Sequence, residues 1–225
     1  MNRQAPLLKI MLATAITFLA FPLSSTSAFG SENHYFVMMF AYKNHFDIRQ
    51  AHTYAAFVHM QGKEGQDARV EESDSWNIEQ VTISWLPESL PMCLICRPVV
   101  GHNYTLSETF QIGLDAGADL YELPTIEVSA ELFENAVAQV TNLNSGGVEW
   151  VTLDRRWRPA AVNCLHAVSD VNLVSGPLYS GTANGVAGSS EALQWFSPYQ
   201  VPSISIPDWL PSLLGVDQYP VNQIE

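Results

Sequence analysis

The chain has 225 residues, a formal net charge of −13 and 47% hydrophobic residues. Such a charge disfavours nucleic acid and anionic lipid as partners, because both are themselves negatively charged. The first 28 residues predict an export signal, with Arg3 and Lys9 at its start, an apolar run over 10–21 and small residues at 26–28. A spanning helix needs about 20 apolar residues, so retention as an uncleaved anchor is the lesser alternative.

Removal of this signal would leave 8 basic and 23 acidic residues, a formal net charge of −15. We expect one α+β domain over 29–197, followed by a proline-containing C-terminal extension over 198–225. A second long hydrophobic stretch is lacking, so we expect no membrane span after cleavage. The predicted location is secreted or periplasmic.

Strands are predicted first along the exported part of the chain. Residues 34–42 and 51–60 are rich in aromatic and short apolar residues, and 61–75 is a charged loop without periodicity. The sequence "WNIEQVTISWLP" over 76–87 alternates with a period of two, which predicts one strand ending at Pro87. The proline-rich stretch that follows, through residue 104, predicts an irregular loop or an edge segment.

Helices are predicted from caps and apolar stripes. Thr105 and Glu108 form a capping box that opens a short helix through about residue 116. Ser129 opens a longer helix that Gly146 and Gly147 end. Its apolar stripe comprises Leu132, Phe133, Ala136, Val137, Val140 and Leu143. A further strand is predicted over 148–154.

The last third of the chain mixes helix and turn signals. Asn163 is a good N-cap for a buried helix over 164–171. Residues 175–190 are rich in glycine and serine, and ordinary turns are favoured there over a phosphate-binding loop, because the glycines lack dinucleotide spacing. A short helix is predicted over 190–196, and the tail from Pro198 should wrap the surface in extended form.

The cysteines are informative because disulfides persist in oxidising compartments. Cys93 and Cys96 form a C-x-x-C pair between prolines. A local disulfide or two buried thiols is favoured over a thioredoxin-type redox site, because no helix is evident, and over zinc, because His102 offers only one further ligand nearby. Cys164 is left alone, and an odd cysteine in an exported protein is either reactive or paired with another molecule.

Cys164 is the candidate nucleophile. A thiol reacts as the thiolate, and the first turn of a helix favours negative charge through its unpaired backbone N–H groups and the helix dipole. The same N–H groups could stabilise the oxyanion formed when a thiolate attacks a carbonyl. The competing interpretation is a small buried helix residue, the usual role of a free cysteine.

A nucleophilic cysteine needs a base, and spacing sorts the histidines. His166 is two residues from Cys164, and helix residues two apart do not face each other. It is therefore expected to pack below the site or to bond the backbone. His52 opens a strand and is free to approach Cys164 in the fold, whereas His59 lies on the opposite face of that strand. Two other histidines precede the core segments and have no evident companion: His34 and His45.

The order of these pieces resembles a known group of proteins. "AHTYAAFV" with His52 comes first, then "VTISWLP", a helix and a strand, and then "VNCLHAVSD" with Cys164. This order resembles the circularly permuted branch of the papain-like NlpC superfamily, which includes the lecithin retinol acyltransferase group. The resemblance covers roughly residues 50–172 and implies an antiparallel sheet packed against helices in a single α+β domain.

The resemblance implies a cysteine hydrolase or acyltransferase that acts on a peptide, amide or acyl substrate through a thioester. Cys164 would be the nucleophile and His52 the general base, with no cofactor and no metal. Members of the group add a third polar residue that orients the histidine. Ser84, near the end of the strand expected beside His52, and His102 are the candidates, and a serine in that role departs from the family pattern.

Two alternatives come from other classes. A non-catalytic binding or envelope-associated module on the same fold would explain a poorly defined orienting residue. A metal-dependent hydrolase would use several of the six histidines. The exported location suits a substrate such as the peptides of a cell wall, although only the family resemblance indicates it.

Overall fold

A computed structural model describes residues 31–44, 51–63, 75–89, 97–152, 160–178, 185–202 and 206–224. The predicted signal over 1–28, His45, and the Cys93 and Cys96 pair lie outside the described residues. Residues Ser31–Glu225 form one compact unit of mixed α+β structure. None of the helices within the described ranges is long and apolar enough to cross a membrane.

Strands account for most of the structure that positions the candidate site. The described strands are β1 Ser31–Lys43, β2 Ala51–Lys63, β3 Asn77–Ile83, β4 Trp85–Pro87, β5 Val99–Asn103, β6 Asp119–Glu122, β7 Ile126–Val128, β8 Glu149–Trp150, β9 Ala161–Val162 and β10 Val221–Gln223. Both long strands predicted at the start of the exported part are present, and each is longer than expected.

The helices cover these strands. The described α-helices are α1 Leu106–Asp115, α2 Ala130–Asn144, α3 Cys164–Ser169, α4 Gly185–Trp195 and α5 Leu210–Leu213. Two short 3-10 helices occur at Ser197–Tyr199 and Val216–Gln218. The local signals located α1, α2 and α3 correctly, because each begins at the residue that its cap predicted.

Two sheets form within the described residues. The larger has the order β10-β6-β1-β2-β3, with β7 also pairing with β1, and the smaller has the order β4-β5-β8-β9. β1 and β2 are antiparallel along their whole length, which places Tyr42 opposite His52. The sheets are mixed, because β10 runs parallel to β6 and β8 runs parallel to β9.

Side chains alternate along β1 and β2, so the large sheet buries two faces. The α1 face carries the even-numbered residues, such as Phe40 and Tyr54, packed against Phe110 of α1. The α3 face carries the odd-numbered residues, such as Met39 and Phe57, packed against α2, α3 and α4. Near-continuous apolar runs are what a strand buried on both faces requires.

The strand predicted over 76–87 is interrupted at Ser84. β3 ends at Ile83 in the large sheet, and β4 begins at Trp85 in the small one. Asn103 holds the break, because its Oδ1 accepts from Ser84 N at 2.8 Å and its Nδ2 donates to Thr82 O at 2.8 Å. A period of two continues through the break, which is why the sequence did not reveal it.

The glycine- and serine-rich segment is helical from Gly185, not a run of turns. A Cβ at Gly185 would lie 2.6 Å from Tyr42 O and 2.8 Å from His52 O. A Cβ at Gly188 would lie 3.2 Å from Thr53 Oγ1. The glycines therefore let α4 pack directly on the strand ends, a requirement that competes with their low helix propensity.

The C-terminal residues differ from the expected extended wrap. Leu210 and Val216 are buried on the α1 face, and β10 adds a parallel strand beside β6. Gln223 Nε2 also donates to the buried Glu122 Oε2 at 2.7 Å. Apolar residues among the prolines supply this packing, so the described part of the segment belongs to the core.

Candidate functional site

His52 is fully buried on the α1 face at the start of β2. Its ring lies 5.3 Å from the stacked ring of Tyr54 and 5.2 Å from that of Tyr42, measured between centroids. Burial lowers the pKa of His52 to about 3, because the surroundings disfavour the charged imidazolium. The imidazole is therefore neutral at physiological pH.

Ser84 is the residue that holds the His52 ring. Ser84 Oγ lies 2.9 Å from His52 Nε2, and both side chains are fully buried. The backbone of Ser84 is itself held by the small sheet, since Tyr104 N donates to Ser84 O at 3.0 Å. The break between β3 and β4 thus turns the serine toward the histidine.

Thr109 continues this contact into helix α1. Its Oγ1 lies 2.7 Å from Ser84 Oγ and 2.7 Å from the carbonyl oxygen of Thr105, the N-cap of the helix. The Thr109 side chain is fully buried. Sequence reasoning missed this residue, because the capping box locates the helix but does not indicate what the helix touches.

Cys164 is the first residue of α3, as the cap predicted. Asn163 Oδ1 accepts from His166 N at 2.8 Å, which completes the N-cap. The thiol is free and the residue is partly exposed. Desolvation nevertheless raises the pKa of the thiol, and the backbone N–H groups of Thr53, Leu165 and Cys164 oppose that shift without cancelling it.

Thr53 lies between Cys164 and His52. Its N–H donates toward the thiol, and it is the next residue after His52 on β2. Pairing of β2 with β3 starts at Ala55, so the edge of β2 beside Thr53 is not covered by that strand. The thiol therefore approaches from the α3 face at the end of the strand whose His52 side chain belongs to the α1 face.

His52 Nε2 bonds Ser84 and not Cys164. Among the described residues, His52 Nδ1 has no hydrogen-bond partner and is buried. The hydroxyl of Tyr42, the residue opposite His52, has its pKa raised by burial and by negative charge on Cys164. One free ring nitrogen, one thiol and one tyrosine hydroxyl thus share the same end of β1 and β2.

The structure does not bring His102 to His52. His102 is exposed on β5 and packs edge-on against Tyr104, with ring centroids 4.5 Å apart. Its neighbour Asn103 bonds Ser84 instead. Alternation along β5 separates these two side chains, so of the two predicted orienting residues only Ser84 reaches the imidazole within the described structure.

The other histidines occupy separate places. His166 is buried in α3, and its backbone bonds Asn163 and Asp170. His59 lies away from His52 and stacks on Tyr35 with ring centroids 4.5 Å apart. Across the described ranges, no group of three or more His, Cys, Asp or Glu side chains could hold a metal ion.

The segment that contains His52 contacts the segment that contains Cys164, because Thr53 N–H donates to the Cys164 thiol. Ser84, in the strand segment between them in the sequence, bonds His52. This arrangement can orient an imidazole through one nitrogen and leave the other free to exchange a proton. Comparisons of the chain with family models, with curated proteins and with solved structures found no match.

Proposed function

We propose that this protein is an exported cysteine hydrolase of the permuted papain-like kind, acting on a peptide, amide or acyl substrate. Cys164 is the nucleophile, His52 the general base and Ser84 the residue that orients His52. The observation that carries the proposal is the bond of 2.9 Å between His52 Nε2 and Ser84 Oγ, which leaves Nδ1 free beside the strand end that contacts the thiol.

The proposed reaction forms and breaks one thioester. His52 Nδ1 takes the proton of the Cys164 thiol as the sulfur attacks the carbonyl carbon of the substrate. The same nitrogen then gives this proton to the leaving amine or alcohol, and the acyl group stays on the sulfur. Water, deprotonated by Nδ1, hydrolyses the thioester, and the proton returns to the thiol.

The resting protonation state follows from burial. The pKa of His52 is lowered to about 3 and the pKa of the Cys164 thiol is raised, so the proton rests on the sulfur. The site therefore holds a neutral thiol and a neutral imidazole, not a preformed ion pair. Because the two groups share no hydrogen bond in this structure, substrate binding has to bring Nδ1 and the sulfur together.

The test is covalent acylation of the chain from residue 29 to 225 by a p-nitrophenyl ester. We expect one acyl group on Cys164, located by peptide mapping, which distinguishes it from Cys93 and Cys96. Cys164→Ser should lose that acyl group while its circular dichroism spectrum is unchanged. Acylation that persists elsewhere with Cys164 unmodified contradicts the proposal.

A second candidate is a non-catalytic binding module on the same fold. It is favoured by the complete burial of His52 and by the missing bond between Nδ1 and the thiol. His52→Gln separates the two candidates. In an enzyme the acylation rate of Cys164 should fall by about 100-fold or more, because general-base catalysis supplies about that factor. An unchanged rate would indicate the binding module.

A further inference from the structure

The outer edge of β3 offers backbone groups to a further strand. β3 Asn77–Ile83 is the last strand of the large sheet and pairs with β2 on one side. Within the described residues, no strand pairs with its other side. The backbone groups that point to this outer edge can be identified, because the N–H and C=O of one residue in an antiparallel sheet face the same neighbouring strand.

The direction of these groups follows from β1 across the sheet. Met39 O accepts from Leu123 N at 2.9 Å, so the odd-numbered residues of β1 face β6 and β7. The even-numbered residues of β1 therefore bond β2, and their partners there are even-numbered as well. The odd-numbered residues of β2 then face β3, in agreement with the N–H of Thr53, which donates to the Cys164 thiol beyond the end of β3. The register of β2 with β3 pairs odd with odd, so the odd-numbered residues of β3 bond β2.

Three residues of β3 consequently turn their backbone groups outward: Ile78, Gln80 and Thr82. The direction is confirmed independently by Asn103, whose Nδ2 donates to Thr82 O at 2.8 Å from that side. Its Oδ1 accepts from Ser84 N at 2.8 Å, so this side chain takes the place of a neighbouring strand at one end of the edge. In the described structure, the N–H and C=O groups of Ile78 and Gln80 remain open to a partner.

The side chains of β3 do not block this edge. Free edges in natural sheets are commonly protected by lysine or proline, and neither occurs in Asn77–Ile83. The one charged residue of the strand is Glu79, whose side chain is 61% exposed although its carboxylate lies 3.7 Å from His59 Nδ1. Burial raises the pKa of Tyr35, and negative charges on Glu134 and Glu79 raise it further. Two carboxylates therefore lie on the α3 face beside the strand.

We propose that the outer edge of β3 binds an extended, positively charged peptide segment as an added strand. Bonds to the main chain of Ile78 and Gln80 attach the segment, and its alternate side chains lie beside Glu79 on one face and beside half-buried Ile78 on the other. The net charge of the chain, −13, attracts a basic segment and opposes pairing with a second copy. The proposal does not depend on the proposed function, because the edge uses none of the proposed catalytic groups.

Backbone methylation of a labelled peptide tests the proposal. The probe is a heptapeptide of alternating valine and lysine with a fluorescent label, and anisotropy follows its binding to the chain from residue 29 to 225. In an extended strand the N–H groups of the valines point to one side and those of the lysines to the other. N-methylation of one set should abolish binding, and N-methylation of the other should leave the Kd within about twofold. Equal binding of the two methylated peptides overturns the proposal.

Gln80→Pro tests the same bonds from the side of the protein. Proline is tolerated at an edge position whose N–H faces outward, so the circular dichroism spectrum should stay the same while the Kd of the probe rises about 10-fold or more. Gln80→Ala is the matched control, because it keeps both backbone groups, and its Kd should stay within about twofold. A folded Gln80→Pro variant that binds the probe normally contradicts the proposal. If this variant does not fold, the methylated peptides still decide.

The charge of the partner is tested separately. Glu79→Gln should weaken binding of the probe about threefold to 10-fold, and a peptide with glutamate in place of lysine should bind at least about 10-fold more weakly. Asp217→Asn removes the same charge from the exposed part of the 3-10 helix Val216–Gln218 and should change the Kd by less than about twofold. Equal affinity for the two peptides overturns the choice of a basic partner.

Sedimentation of the chain alone tests the other occupant of the edge. We expect a monomer, because two copies carry the same strong negative charge. A dimer that Gln80→Pro converts to a monomer would assign the edge to a second copy and would overturn the proposal.

Discussion

The two faces of the large sheet hold the two halves of the candidate site in different ways. On the α1 face, His52 is fully buried and fixed by a chain of side chains that ends on a helix. On the α3 face, Cys164 is partly exposed, and backbone N–H groups surround its thiol. The candidate base is therefore fully buried, whereas the residue that carries the candidate nucleophile is partly exposed.

This difference predicts which substitutions should disturb the site most. The end of β2 at His52 and Thr53 belongs to both halves, because His52 is the candidate base and Thr53 N–H contacts the thiol. Helix α4 covers that end with glycines. We therefore expect the largest loss of stability from substitutions in helix α4 and a smaller loss from protonation of His52. Substitutions at the N-caps of α1 and α3 should have the smallest effects.

Gly185→Ala should lower the free energy of unfolding by about 3 kcal/mol, because the new Cβ meets backbone that cannot move away. The nearest atoms would be Tyr42 O at 2.6 Å and His52 O at 2.8 Å. Urea denaturation followed by tryptophan fluorescence measures the loss. This variant should disturb both halves of the site at once, because the ends of β1 and β2 belong to both.

Gly188→Ala is the matched control for that variant. Its Cβ would meet side chains, Thr53 Oγ1 at 3.2 Å and Leu165 Cδ1 at 3.6 Å, and it gains helix propensity. We expect a change within about 1 kcal/mol. Equal losses in the two alanine variants would contradict the view that Gly185 is required by the backbone below it.

Acid should destabilise the protein through His52. Its pKa is about 3 when folded and 6.5 in the reference state, so between these values the unfolded chain binds a proton that the folded chain excludes. Stability therefore falls as the pH drops below 6.5 and stops falling near 3, with a loss of about 2 kcal/mol between pH 6.5 and 5. Urea denaturation at several pH values measures this loss.

The comparison for this prediction is His52→Gln, which cannot titrate. The variant should be less stable at pH 7, yet its stability should decline less between pH 6.5 and 5 than that of the original protein. The difference between the two curves isolates His52 from the other titrating groups. Parallel curves would show that His52 is solvated and would contradict its full burial on the α1 face.

On the α3 face, iodoacetamide should alkylate the accessible Cys164 thiol, but slowly, because the thiol is poorly ionised. Because burial raises the pKa of the Cys164 thiol, its alkylation at pH 7 should be slower than that of a free thiol. The rate should rise with pH to beyond 9. Peptide mapping follows Cys164 separately, and a plateau between pH 5 and 7 would reveal a preformed thiolate instead.

The helix caps should have the smallest effects. Thr105→Ala and Asn163→Ala each remove a side-chain acceptor for the first turn, of α1 and α3 respectively, and each should cost about 1 kcal/mol in thermal denaturation. Only Asn163→Ala should change the alkylation rate of Cys164. A change in that rate in Thr105→Ala would show that the two faces are coupled.

Local signals predicted much of the fold. The capping box at Thr105 and Glu108 and the cap at Asn163 act within one turn of helix, so their positions can be found in any sequence that contains them. The stripe of α2 follows from one period and one buried face. These features depend on residues close in the chain, which is why they need no tertiary information.

The candidate site was predicted in part. His52 opens a strand and Cys164 opens a helix in the structure, as expected from local patterns. Ser84 and His102 looked equivalent in the sequence, and only the break after β3 brings Ser84 to the imidazole. Thr109 was missed because a hydroxyl on a helix has no local sign of its distant partner.

By itself, the sequence determined the caps, the long buried strands and the helical start at Cys164, because each depends on short-range hydrogen bonds or on one period. The tertiary structure alone decided that Ser84 interrupts a strand, that Gly185 belongs to a helix and that Thr109 stands behind the serine. Each of these depends on contacts between residues at least 19 positions apart, such as Ser84 with Asn103. Packing of two buried faces, not local propensity, selects such contacts.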